Sequence, residues 1–530
     1  LALVALVPSV TLAGEPSRVN SYTQPHVLRY AEAEDIQGLN PVLNQQGPVN
    51  RLSQLTMAYL FRWDRENKPE PELATVVPTI ANGGIKDGGH TITFHIRRNV
   101  KWSDGAPFDG DDVVFSFDVM NNPANNIVSR TGFDQISKLD EPDKYTVVVH
   151  MRKTFAPFIP VFDTAGGGPS LLPKHILGAL PNINEAPYNN LPVGIGPFRY
   201  TAWRRGDAVE LEANPYYWRG LPKLKKIVFK IIPDRNTVFT QLQTGELDLW
   251  YPATGAFLPR LQALPNVAII RQPGYLYNHI DFNLTRPALR DVAVRRALRM
   301  AVDRALIRDK VGHGVGILQE SIVPAPYPGV EKVPLVPFDL GKANALLDAA
   351  GWKRGPDGVR AKDGVRLSLE FASSSGSPDV DTQIEIIRSS WQQIGVDITV
   401  KRYLSSMIFA PLESGGILYG GKFDAIAYAW GVSPVDDLIT AFGCDDAPPK
   451  GQNAMHYCNH ALDALMTDFE SQFDKDKQND DLSKAARIIA DDVPTIVLNS
   501  REDIFAFNKD LQNFHPNNST RFDDMMNVDI

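Results

Sequence analysis

The chain has 530 residues, 43% of them hydrophobic, and a formal net charge of −8. That length exceeds one ordinary domain; at roughly 150 residues per domain it predicts two to four, each able to bury a core. Mild acidity and the lack of any long basic run exclude nucleic acid and anionic membrane as expected partners.

The chain opens on LALVALVPSVTLA, followed by GEPSR. This apolar stretch is too short to cross a bilayer as a helix. It fits the end of a secretory signal peptide over 1–13, with small residues Thr11 and Ala13 before the cut. A periplasmic, exported protein is expected, and no cysteine follows the stretch to signal a lipid anchor. The alternative is an unstructured tail on a cytosolic protein. Glycines and prolines are spread as turn punctuation, and no tract is of low complexity.

Next come segments that alternate apolar and polar with period two, as half-buried strands do. TITFHI puts Ile92, Phe94 and Ile96 on one face, and YTVVVHM does so with Tyr145, Val147 and Val149. KIVFKII aligns Ile227, Phe229 and Ile231; VDITVK aligns Val396, Ile398 and Val400. Between the first two strands, FHIRRNVKWSDGAPFDGDDVVFSFD turns a hydrophilic corner. SDG and DG supply turn chemistry. Asp109 is placed to cap the following helix, with Asp112 three residues on as in a capping box. This acidic cluster reads as capping rather than as acid–base chemistry or calcium binding.

Helices interleave with the strands. DVAVRRALRMAVDRAL predicts one helix with Val294, Leu298, Ala301, Val302 and Ala305 inward and Arg295, Arg296, Arg299 and Asp303 mostly outside. DLGKANALLDAAG starts at an Asp339 cap and stops at Gly351. TQIEIIRSSWQQIG repeats Ile384, Ile387, Trp391 and Ile394 at helical spacing. Strands and helices mixed without strict alternation predict a mixed α/β protein of several lobes.

Two cysteines are present, Cys444 and Cys458. In an exported chain such a sparse, even count predicts one disulfide. A metal site stays open beside it, because His456, Cys458 and His460 read H-x-C-x-H, though not at a common zinc spacing. No other cofactor is expected.

The corner, with the words around it, resembles the family 5 extracytoplasmic solute-binding proteins of ABC importers: peptide, nickel and opine binders. The family's aromatic-x-Leu-Arg, Val-Lys-aromatic-x-Asp-Gly and Asp-Val-Val-Phe-Ser words stand here as FHIRRNVKWSDGAPFDGDDVVFSF. LNPVL stands ahead of them as the opening word, and VGIGPFRY, NPYYWRG, QLQTGELDL, NLTRPALRDVAVRRALRMAVDR, ANALLDAAGW and FDAIAYAWGVSPVDD follow, all in the family's order. The resemblance implies a two-lobed periplasmic-binding-protein fold (type II, cluster C-like) with an extra domain. Lobe domain I would hold 14–60, 191–280 and 495–530, extra domain II 61–190, and lobe domain III 281–494. Partners implied are a small-molecule or peptide ligand and an ABC permease with its ATPases, the protein itself being a monomer.

By the same resemblance AIAYAWGVSPVDD lines the ligand cleft. Tyr428 and Trp430 share a strand face, with Ala429 between them and Gly431 allowing close backbone approach; their alternative role is core. Many peptide binders of the family place Asp three residues after the tryptophan to pair with the ligand's ammonium. Ser433 stands here instead, with Asp436 and Asp437 nearby to compensate or to cap a helix. Further lining candidates are Gln45, Gln46 and Gly47, and Asn283, whose alternative is a turn residue. Tyr275 and Tyr277 fit cleft or core equally, and the glycine-rich loop 166–168 lacks the residues of a phosphate loop.

An enzyme would need a nucleophile, a base and a stabiliser. No Gly-x-Ser-x-Gly, His-Glu-x-x-His or strand-bound Gly-x-Gly-x-x-Gly occurs. Binding is therefore the expected function. A secreted hydrolase and a chaperone are the alternatives from other classes, and a metal chelate, opine or sugar conjugate is the alternative ligand.

Overall fold

The structure is a computed structural model describing residues 20–64, 66–128, 130, 132–163, 170–323, 327, 329–431, 438–518, 521, 522 and 524–530. The leader expected over 1–13, the loop 166–168, Ser433, Asp436 and Asp437 lie outside them. Among the described residues the chain builds a ten-stranded mixed sheet and a separate four-stranded antiparallel one. No described helix is long and apolar enough to cross a membrane.

Each segment that alternates in the sequence is a strand: Thr91–His95, Thr146–Met151, Lys226–Ile231 and Asp397–Tyr403. Their apolar faces feed separate cores. Ile92, Phe94, Val147 and Val149 join Trp102, Phe108 and Val113 in one cluster. Ile227 and Phe229 pack with Leu28, Tyr30, Phe198 and Phe505 in a second. Ile398 packs with Phe282, Leu298, Phe371 and Trp391 in a third.

The large sheet is continuous across the second and third of these cores. At its centre lie two long antiparallel strands, Val267–Phe282 and Thr495–Asn508. One end of this pair carries Ile270, Phe505 and Phe507 into the second core, and the other carries Ile280, Phe282, Ile496 and Leu498 into the third. We call them the crossing strands. Their register shifts between Pro273 and Tyr277 and again between Asn278 and His279, midway between the two cores. Bulges there loosen the ladder where the chain passes from one core to the other.

The hydrophilic corner is a capped joint. Asp109 and Asp112 form the capping box of helix Gly110–Asn121. Asp112 does more: its Oδ2 accepts from Trp102 Nε1 at 3.1 Å and its Oδ1 from Lys174 N at 2.9 Å. Burial pushes its carboxyl above the ordinary value. One carboxylate thus ties strand end, helix start and the following PKH turn together. VGIGPFRY docks the joint on its neighbour: Gly196 N donates to Thr56 O at 2.9 Å, and Ser103 N donates to Gly194 O at 2.9 Å. A Cβ on Gly194 would stand 2.0 Å from Thr56 O, so only glycine admits this backbone contact.

The arginine-rich helix departs from expectation. It is two helices, Val292–Met300 and Arg304–Lys310, because Asp303 caps the second by accepting from Leu306 N at 2.9 Å. Arg295 and Arg299, expected mostly outside, are buried, as is Arg304. They serve unpaired carbonyls at the end of helix Lys475–Asp492: Arg295 Nε reaches Asp492 O at 2.9 Å, and Arg299 Nη1 reaches Ala490 O. Glu320 lies 3.3 Å from both Arg299 Nη1 and Arg304 Nη2 and compensates their charge. Helix Leu340–Ala349 with its Asp339 cap, and helix Pro378–Gln393, stand where the sequence puts them.

Candidate functional site

The strand Ala425–Gly431, from the word AIAYAWG, lies beside the first crossing strand. They pair antiparallel along its whole length, from Phe282 opposite Ala425 to Leu276 opposite Gly431. Its other side is only partly covered. Strand Ser368–Ser374 pairs there in parallel at Ala425, Ile426 and Ala427 and goes no further. Residues 428–431 have no strand on that side among the described residues. The alternate backbone groups that point to that side therefore meet no strand among the described residues, an arrangement that can template an added strand. Among the described residues a Cβ at Gly431 would meet only Leu276 Cδ2, at 3.4 Å, so their packing does not demand glycine there. Its absence of side chain leaves the edge open.

Polar groups support this edge from below. Tyr428 is half-buried, and its hydroxyl donates to Asp281 Oδ2 at 2.6 Å. His279 Nδ1 lies 2.8 Å from Asp281 Oδ1 and 3.2 Å from Thr495 Oγ1. The His279 ring meets Tyr428 edge-on, 4.2 Å between centroids. Phe409 and Trp430 extend the aromatic surface on either side of Tyr428, at 5.7 and 6.1 Å. Burial raises the Tyr428 phenol well above its ordinary value, and the Asp281 carboxylate adds to the rise. The phenol thus stays a donor and Asp281 an acceptor. His279 Nε2 is buried with no hydrogen-bond partner among the described residues.

Beside this group the crossing strands carry an amide ladder. Asn278, opposite Ala429, donates from Nδ2 to Asn499 Oδ1 at 2.8 Å. Its Oδ1 accepts from Arg501 Nε and Nη2 at 3.1 and 2.9 Å.

The other sequence candidates fall elsewhere. Asn283 is 2% exposed. Its Nδ2 donates to the carbonyls of Gly421 and Phe423, and its Oδ1 accepts from Thr285, which fits the turn reading. Gln46 stands at the N-cap position of helix Gly47–Thr56 without a side-chain cap bond, and its Nε2 donates instead to Glu34 Oε1 and the Asp35 carbonyl, both at 3.0 Å. Gln45 is exposed, and Gly47 packs against the Arg51 guanidinium. Gln46 also lines a polar cavity of about 610 Å³ with Asn44, Asn189 and Arg205. Tyr275 and Tyr277 are core, 4% and 3% exposed.

Cys444 and Cys458 are joined in a disulfide. Both sulfurs are bonded to each other, so they are not thiolate ligands. His460 Nδ1 stands 3.6 Å from Cys444 Sγ, and His456 belongs to no potential metal cluster among the described residues.

Asp281, His279, Asn278 and Arg501 were not anticipated. The run YNHID does carry a signal: His279 and Asp281, two residues apart, put two ionisable groups on one strand face. Such a pair is costly to bury without mutual satisfaction.

The model of the bacterial extracellular solute-binding proteins, family 5 (middle region), matches residues 68–445. The chain belongs to that family. It is 28% identical over 440 residues to the oligopeptide-binding protein AppA of Bacillus subtilis, a match that covers 81% of this chain and 79% of that protein. Over 506 residues it is 25% identical to the dipeptide-binding protein of Escherichia coli, covering 91% and 90%. Among solved structures it is similar to AppA from Bacillus subtilis in complex with a nonapeptide. There the TM-score is 0.78 at 23% identity, over 95% of this chain and 98% of that one. As a family 5 protein the chain is an extracytoplasmic solute-binding protein with a two-lobed fold, the crossing strands joining its lobes.

Proposed function

We propose that this family 5 protein captures a peptide or peptide-like solute between its lobes and hands it unaltered to an ABC permease and its ATPases. The open edge at 428–431 carries the reading. An extended guest adds there as a strand, pairing main chain to main chain through Ala429 and Gly431. Such pairing ignores guest side chains and suits a carrier of varied peptides. Trp430 and Tyr428 wall the guest's flank, and Ser433 and Asp436, next in the sequence, complete the proposed set of binding residues. Gln45, Gln46 and Gly47 offer the opposing groups from the other lobe. The names of the relatives, oligopeptide- and dipeptide-binding, point the same way.

On this reading lobe domain I holds 14–60, 191–280 and 495–530, domain II 61–190 and lobe domain III 281–494, a division supported by their separate cores. The lobes shut because the guest contacts both, and closure is favoured by its higher affinity for the shut form. No step of this cycle asks for catalysis. The protein acts as an exported monomer.

Native mass spectrometry of protein purified without refolding tests the reading. Peptide masses released on denaturation, and restored intact on adding back the same peptides, are expected. A non-peptide cargo, or a guest recovered cleaved, rules it out.

A further inference from the structure

Three ligand-bearing side chains gather where the 444–458 loop closes. The sulfurs of Cys444 and Cys458 and a ring nitrogen of His460 all lie within 4.8 Å of one another. His460 Nδ1 stands 3.6 Å from Cys444 Sγ. Cys458 and His460 are exposed and Cys444 is half-buried, so small solutes reach the cluster. Solute capture as proposed above uses none of the three.

The disulfide is not the sole tie between the loop's ends. Gly443 and Tyr457, the residues just before the cysteines, both offer their carbonyls to buried Asn453, whose Nδ2 donates at 2.8 and 2.7 Å. Cys444 N donates to Asp463 Oδ1 at 3.2 Å, which fixes the first cysteine to helix His460–Ser471. Asn459, between Cys458 and His460, caps that helix by accepting from Ala461 N at 3.0 Å. None of these bonds involves a sulfur, so cleavage of the bridge leaves two thiols and an imidazole side by side. Their surroundings favour a cation. Burial raises the Asp446 carboxyl, and Asp445, Asp463 and Glu470 add to the rise against the pull of Lys153. Cys458 also directly precedes the N-cap of a 12-residue helix, a place that favours thiolate.

We infer that Cys444, Cys458 and His460, once the bridge is reduced, form a binding site for a zinc-class divalent cation. The site is gated by redox state and is independent of the peptide reading. The reductant is a dithiol. One of its thiolates attacks a bridge sulfur and the other cysteine leaves as thiolate; the second thiolate then resolves the mixed disulfide. The dithiol ends as a disulfide, and its two electrons and two protons leave Cys444 and Cys458 as thiols. The cation binds both as thiolates, with the neutral imidazole as third ligand, and two protons pass to solvent. Two sulfurs and a nitrogen with water in the fourth position suit zinc, a borderline-soft ion. Ligand bonds of about 2.0–2.3 Å put neighbouring ligand atoms roughly 3.3–3.8 Å apart in a tetrahedron. The freed sulfurs part to that spacing, and rotation of the exposed His460 side chain supplies the rest.

The test titrates cobalt(II), then zinc(II), into the full chain before and after anaerobic reduction by a dithiol that is removed before the metal is added. The chain has two cysteines, so a sulfur-to-cobalt charge-transfer band reports this site alone. Reduced wild type is expected to take one cobalt with that band and to lose the band to zinc; oxidised protein should show none. His460→Ala, reduced, should bind cobalt about tenfold more weakly or worse, whereas His456→Ala should match wild type. Both variants should fold, since each side chain is exposed. Four outcomes overturn the assignment: reduced wild type without the band, cobalt held equally by oxidised protein, His460→Ala with wild-type affinity, or His456→Ala as weak as His460→Ala.

Discussion

Asp281 accepts from Tyr428 and faces His279 while only 3% exposed. A buried carboxylate keeps its place only while its oxygens are satisfied. Tyr428→Phe removes the donor to Oδ2 and keeps the ring. It should cost about 1–3 kcal/mol, the range for a buried acceptor left bare. Urea unfolding should show the loss in the transition of the lobe that contains the third core, and peptide affinity should fall because the edge loses its support. An unchanged midpoint would mean that water replaces the phenol freely. At this scale the sequence is legible where partners are close in the chain. Asp109 and Asp112 find their donors within three residues, so the capping box could be read directly. Arg295 finds its carbonyl acceptor 197 residues away, at Asp492, and nothing in the helical stripe announces it.

Among elements, the segment closed by Cys444 and Cys458 is tied both covalently and by a buried amide. The disulfide spans a sequence separation of 14. Within it Asn453, fully buried, donates to Gly443 O at 2.8 Å and Tyr457 O at 2.7 Å and accepts from Tyr457 N at 3.1 Å. Bridging a loop of that size stabilises by roughly 3 kcal/mol in the chain-entropy view. Replacing both cysteines by serine should therefore lower that lobe's stability by about 2–3 kcal/mol in urea unfolding. Thiol titration of the unreduced wild type should find no free thiol among these two. Two free thiols would reopen the metal reading. The bridge follows from count and compartment and the lining strand from the family resemblance, but the extent of the open edge does not follow from the sequence. An edge depends on where a neighbouring strand stops pairing, and the stop of Ser368–Ser374 opposite Ala427 is set by tertiary packing that one segment's periodicity does not encode.

For the whole molecule, the proposed closure must be held by contacts outside the crossing strands, because a bulged two-strand ladder gives direction to the lobes but little resistance. One such contact is visible between the four-stranded-sheet domain and the lobe with the third core. Lys153 Nζ lies 2.7 Å from Glu470 Oε2, whose side chain is only 10% exposed. Next to the pair Phe158 meets Phe473 at 6.4 Å, and Gly89 leaves room for the Phe473 ring, which a Cβ would approach to 2.8 Å. If this contact belongs to the shut form, its strength enters guest affinity, since binding draws on whatever fraction of the protein is shut. Lys153→Glu sets two carboxylates against each other. It should weaken peptide binding roughly tenfold, about 1.4 kcal/mol, and small-angle scattering of the peptide-saturated protein should show a larger radius of gyration than wild type. The exchange Lys153→Glu with Glu470→Lys restores attraction across the same gap and should return both quantities most of the way. Recovery in the double variant separates an effect on closure from damage to either domain, because each substitution alone removes a side chain the other cannot replace. If the single reversal leaves affinity and radius untouched, the pair is a bystander and closure must be held elsewhere along the interface.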